Sequence, residues 1–160
     1  MKTLSLLIAL FILSLQTLAP SSQDNPLVGI WEGTLRFDNQ GRTETIAIEE
    51  LVVTKDLAVT GIYVISDSPS GTKLTGVITG GKIRSDRLEE AFFRFKTGAV
   101  ANSRMDGPIE VVTVDGQDVL RSKTVEKLEK RFDYFKFGHR GISDDTHNFG
   151  AVLAMHRKTN

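Results

Sequence analysis

The chain contains no cysteine. Disulfide stapling, a thiol nucleophile and lipid attachment through cysteine are therefore excluded. Neither sign of charge is in excess, since 20 basic and 20 acidic residues cancel. Strong attraction to nucleic acid is not expected of such a chain. No apolar run reaches the ~20 residues that span a bilayer; Leu4 to Leu15 is apolar but broken by Ser5 and Ser14. Repeats, low-complexity tracts and a G-x-S-x-G elbow are all missing, and the serines fall in turns. Glu49-Glu50 and Glu89-Glu90 are adjacent in extended runs. Each pair is expected to point to opposite faces, which makes neither a glycosidase dyad. Thr79-Gly80-Gly81-Lys82 has no strand-loop-helix setting and so is no phosphate cradle. These residues give catalysis no support, and no cofactor is expected.

What is present begins with a leader. Met1-Lys2 supplies a positive start, the apolar run follows, and Ala19 and Ser21 occupy the −3 and −1 positions of a cut. Residues 1–21 are expected to be a cleaved signal peptide. Residues 22–160 then form one domain of about 139 residues, large enough for a core without staples. Export without cysteine favours a periplasmic or secreted location, with no membrane span after signal removal. Charge is uneven along this domain. Residues 24–50 carry six acids and two bases, whereas 119–140 carry seven bases and three acids; both stretches fit solvated faces.

Period-two alternation dominates the remainder. Gly29, Trp31, Gly33, Leu35 and Phe37 share one side of a first strand over Leu27–Phe37, and Asp38-Asn39-Gln40-Gly41 turns it. In the second run, Thr43–Thr54, the phase changes between Ile46/Ile48 and Leu51/Val53. A bulge near Glu49-Glu50 would keep all four inward. Further strands are expected at Leu57–Ser66, Leu74–Thr79 (ended by a tight turn at Gly80-Gly81), Leu88–Lys96, Ile109–Val114 and Phe149–Arg157. Segments 97–108 and 138–148 are expected to be polar loops. Residues 119–137 remain open: Val125, Leu128, Phe132 and Phe135 have helical spacing, while Phe132–Phe137 also suits a strand. The pattern predicts an all-β, antiparallel up-and-down barrel of about eight strands, with room for one short helix near 122–131.

Gly29-Ile30-Trp31 resembles the G-x-W of the first strand in the calycin group, the lipocalins, fatty-acid-binding proteins and related small secreted barrels. Ala154-Met155-His156-Arg157 is similar to the terminal-strand position whose basic side chain packs over that indole, and Phe132-Asp133-Tyr134 is loosely similar to the lipocalin T-D-Y element. The chain stops three residues after Arg157, without room for the helix lipocalins carry there. Avidin-like barrels share G-x-W and a later G-x-Y, matched by Gly61-Ile62-Tyr63, but a biotin pocket needs several tryptophans and this chain has one. The resemblance implies a binding barrel. Independently of it, closure of an up-and-down barrel pairs first and last strands, which would bring Arg157 to Trp31.

An eight-strand barrel is just wide enough to be filled by side chains or to hold one small ligand. Trp31, Leu35, Phe37, Tyr63, Phe93 and Phe95 are the residues expected to line that interior. Binding of a small apolar or amphipathic ligand without catalysis is the expected function. The alternative is an envelope-associated interaction or inhibitor domain acting through loops 97–108 and 138–148, its protein partner undefined. His139, Asp144, Asp145 and His147 bring metal-type donors to one loop, but neither a helix nor a strand is expected to hold both histidines on one side. The spacing matches no ligand motif, so no metal is assigned.

Overall fold

A computed structural model describes residues 25–66, 71–95, 103–123, 134–140 and 146–159; of residues 139, 140, 146 and 147 it describes the backbone alone. All regular structure within those residues is strand: β1 (Gly29–Asn39), β2 (Arg42–Val53), β3 (Ala58–Ser66), β4 (Lys73–Arg84), β5 (Arg87–Phe95), β6 (Ser103–Val114), β7 (Gln117–Ser122), β8 (Lys136–Arg140) and β9 (Thr146–Arg157). Each is antiparallel to its neighbours. Eight of them close a ring in the order β1-β2-β3-β4-β5-β6-β7-β9, sealed by β1 against β9. The ninth, β8, is additional. It pairs with β6 over 103–106 and with β9 over 146–150, while β7 pairs with the other ends of the same two strands. This architecture is compatible with a calycin-like barrel. The leader and residues 124–131, where a helix was open, lie outside the described residues.

Alternation sends one side of every strand inward, where Trp31, Leu35, Ile48, Leu51, Val59, Tyr63, Ile78, Leu88, Phe93, Met105, Ile109, Leu120 and Leu153 join a single buried cluster. Full burial of one such side chain contributes about 1.5–3 kcal/mol, so this cluster is the main favourable contribution to the fold. The phase change in β2 is resolved as expected. Trp31 faces Leu51 and Gly33 faces Ile48, so one extra residue sits at Glu49-Glu50 and all four apolar residues stay buried.

Two further bulges were not expected. Gly80-Gly81 is not a turn: β4 runs on to Arg84, the register against β3 shifts between Val59/Gly81 and Gly61/Ile78, and Gly80 (φ +73°) supplies the left-handed residue. The turn is Ser85-Asp86 instead. Against β6, β5 carries an extra residue at Glu89-Glu90, with Glu90 at φ +52°. Both acid pairs therefore sit at bulges. Their inward neighbours, Ile48 with Leu51 and Leu88 with Ala91, are buried on either side, so both glutamates of each pair lie off the interior rather than on opposite faces.

The expected loops 97–108 and 138–148 are shorter than the sequence suggested. Residues 103–108 belong to β6, 138–140 to β8 and 146–148 to β9; 97–102 and 141–145 lie outside the described residues. Asp106-Gly107-Pro108 looks like loop punctuation because proline cannot donate to a ladder. Pro108 occupies the stretch where β6 changes partner from β8 to β7, and its carbonyl accepts from Lys123 N at 3.0 Å. Gly107 (φ +147°) lets Phe135 approach, since a Cβ there would collide with the Phe135 backbone.

Candidate binding end of the barrel

The two ends of the barrel differ. At one end the connections are short: 54–57, Ser85-Asp86 and Asp115-Gly116. Asp115 and Gly116 both have positive φ (51° and 78°), as a two-residue hairpin of the favoured twist requires. The same end is covered by the chain entering β1. Leu27 packs on the core, and the Trp31 indole nitrogen donates to the Leu27 carbonyl at 2.9 Å. Trp31 itself is wholly buried. Arg157, its register partner, lies over the ring with the guanidinium carbon 4.4 Å from the centroid. Its nitrogens donate to Val28 O at 2.9 Å, Pro26 O at 2.7 Å and Asp118 Oδ2 at 3.2 Å. This end is closed by backbone and cation together.

At the other end the strands are joined by Gln40-Gly41 and by the longer connections 67–72, 96–102 and 141–145. Here six aromatic rings form a continuous series across the bore. Phe149 meets Phe37 (centroids 5.8 Å apart), Phe37 meets Phe137 (4.5 Å), and Phe137 meets Phe93 edge-on (5.3 Å). Phe93 in turn meets Tyr63 edge-on (4.9 Å), and Tyr63 meets Phe95 (6.5 Å). Such tilted and edge-on pairs stabilise by about 0.5–1.5 kcal/mol each beyond area burial. Phe149 and Phe95, the two ends of the series, are partly exposed, and Leu74 nearby on the β4 rim is 46% exposed.

Tyr63 is the polar member of the series. It is only 1% exposed, and its hydroxyl has no hydrogen-bond partner among the described residues. Its ring lies over the bare backbone of its cross-strand partner Gly76, where a Cβ would run into the phenol. Burial raises the phenol above its ordinary value of 10.0, so at neutral pH it is a protonated donor. Besides it, the buried polar side chains among the described residues are Ser103 and Ser122. Ser122 Oγ accepts from Leu153 N at 3.1 Å.

Of the six residues expected to line the interior, Phe37, Tyr63, Phe93 and Phe95 come together in this series. Leu35 is buried in the core on β1, between Phe37 and Trp31, and Trp31 is at the closed end, six residues along β1 from Phe37. Trp31, Leu35, Tyr63 and Phe93 are all 0–1% exposed. Water-sized space does not border them, so the deep interior is filled by its own side chains. Sequence reasoning missed Phe137, which links Phe37 to Phe93, and Phe149, which begins the series at Phe37. Both sit on the inward phase of their strands, opposite one another in register, so alternation would have found them once β8 and β9 were known to be neighbours.

The candidate metal donors divide. Asp144 and Asp145 lie outside the described residues. His139 and His147 lie on two different strands and are register partners across β8 and β9. Among the described residues no group of three or more metal-type donors is found. Family models, curated proteins and solved structures return no match to this chain.

Proposed function

We propose that this chain is an exported, non-catalytic barrel of calycin type that takes a small apolar or amphipathic molecule at the end bearing the six-ring series. The observation that carries this reading is the series itself. It runs from the half-buried Phe149 and Phe95 into the buried centre, at the end with the longer connections, while the opposite end is closed by Arg157 and the 25–28 segment. Ligand sites are mostly apolar and aromatic with few polar groups, and this end has that composition. Because Tyr63 and Phe93 are close-packed, a ligand enters by parting the outer rings, which Phe95 and Phe149 can do at the lowest packing cost.

Native mass spectrometry of the protein purified from its own host tests the proposal. A small apolar molecule retained at unit stoichiometry supports it. A protein released free of ligand, which also fails to enhance the fluorescence of a neutral naphthylamine probe, would sink it.

A second reading is favoured by a separate observation. Ser103 on β6 pairs with His139 on β8, so the strand ends that lead to the β5–β6 and β8–β9 connections are neighbours. An interaction surface built from 97–102 and 141–145 would use that juxtaposition. A protein partner in the same mass spectrum, in place of the small molecule, would favour it.

A further inference from the structure

Resting on the binding reading above, we propose that the ligand is an uncharged amphiphile: an apolar body carrying a neutral acceptor such as an ester, ketone or ether oxygen, which accepts a hydrogen bond from the Tyr63 hydroxyl. A fatty-acid-type anion is disfavoured at the same place. Two independent observations lead there. The first is the Tyr63 hydroxyl, 1% exposed and without a partner among the described residues. Buried polar groups are nearly always paired, and one left unpaired in an otherwise satisfied interior marks where a partner is supplied from outside. Its position within the aromatic series, between Phe93 and Phe95, puts it where an incoming apolar body would lie.

The second observation is electrostatic. The buried polar side chains among the described residues are all uncharged: Ser103, Ser122 and the Tyr63 phenol. Arg157 is committed at the closed end to two carbonyls, Asp118 and the indole. A carboxylate carried to the depth of Tyr63 would lose its hydration and find no buried cation among the described residues to repay the loss. A neutral acceptor loses far less and gains a hydrogen bond from the phenol. The same hydroxyl thus selects for an acceptor, and the lack of a buried base among the described residues selects against an anion.

Competition against a bound neutral naphthylamine reporter tests this with the full mature chain, using methyl laurate, laurate at pH 8 and dodecane as competitors. Methyl laurate should displace the reporter at a concentration at least about tenfold below laurate. In Tyr63→Phe the ester should weaken about fivefold, the effect of one lost hydrogen bond, while dodecane is unchanged. Thermal unfolding of the variant confirms that it is folded, and dodecane binding confirms that its site is intact. Laurate competing as well as the ester, or an ester affinity untouched in Tyr63→Phe, overturns the neutral-acceptor proposal but leaves apolar binding standing. Failure of the reporter and every competitor to bind overturns the binding reading itself.

Discussion

Arg157 and Trp31 are direct partners across the β1–β9 seam, and the guanidinium of the one lies 4.4 Å from the ring centre of the other. The contact joins the first and last strands at the point where the barrel closes. Arg157 also ties down the entering chain through the carbonyls of Pro26 and Val28. One side chain therefore fastens three segments.

Arg157→Ala should lower stability by about 2 kcal/mol, combining the lost cation–π contact with hydrogen bonds that are only half shielded from water. Arg157→Lys should recover less than half of this, because an ammonium cannot lie flat on the indole while donating to two carbonyls. Chemical denaturation of both variants measures the loss. A double-mutant cycle with Trp31→Phe should give a coupling of about 0.5–2 kcal/mol; zero coupling would mean that the stacking adds nothing.

The seam also depends on a missing side chain. A Cβ on Gly33 would be forced into the Ala154 carbonyl oxygen and to 2.7 Å from Met155 Cα, both of them backbone atoms of β9. Gly33→Ala should cost more than about 3 kcal/mol or prevent folding. Gly150 on the same β9 has open space around its Cβ position, so Gly150→Ala should change stability by less than about 0.5 kcal/mol. Comparing the two melting curves separates steric exclusion at the seam from a general need for glycine.

Register in β2 rests on one surplus residue. Deleting Glu49 should turn Leu51 and Val53 away from the core, or force Ile46 and Ile48 out, and so abolish cooperative unfolding. Replacing Glu49 or Glu50 by alanine leaves the residue count intact and should cost under about 1 kcal/mol. Circular dichroism and a thermal melt distinguish these outcomes, and a deletion variant that melts like the parent would refute the register argument.

Tyr63 should make the ligand-free protein less stable than it could be. Tyr63→Phe removes a buried, unpaired hydroxyl and should stabilise the ligand-free form by about 1 kcal/mol. Its pH dependence has a definite sign. Burial holds the folded phenol above 10.0, so in the window above that value the unfolded chain releases a proton that the folded chain retains. Stability from this group is complete below pH 10 and falls as pH rises through the folded value. Tyr63→Phe should lack that component of alkaline destabilisation, which parallel urea titrations at neutral and alkaline pH would reveal.

Much of the wall was legible in the chain, because period-two alternation reports which residues face a core whatever the partners are. The β2 bulge was legible for the same reason: Ile46, Ile48, Leu51 and Val53 cannot all face inward without it. The bulges at Gly80 and Glu90 were not, since a glycine pair signals a turn and a bulge alike and a glutamate at positive φ carries no signal. The first half of β6 was hidden by Gly107-Pro108, whose missing donor matters only where a ladder bond is due.

By itself the sequence determined the all-β character, the inward side of the strands whose alternation is clean and the identity of the closing pair, because these follow from local alternation and from the need of a first strand to meet a last. Only the tertiary structure decided that β8 lies alongside β7's place in the wall, and hence that Phe137 joins Phe37 to Phe93 and Phe149 begins the series. It also decided that Tyr63 is left buried without a partner among the described residues. Those outcomes depend on register summed around a closed ring, where each bulge shifts every later contact, and no local pattern carries that sum.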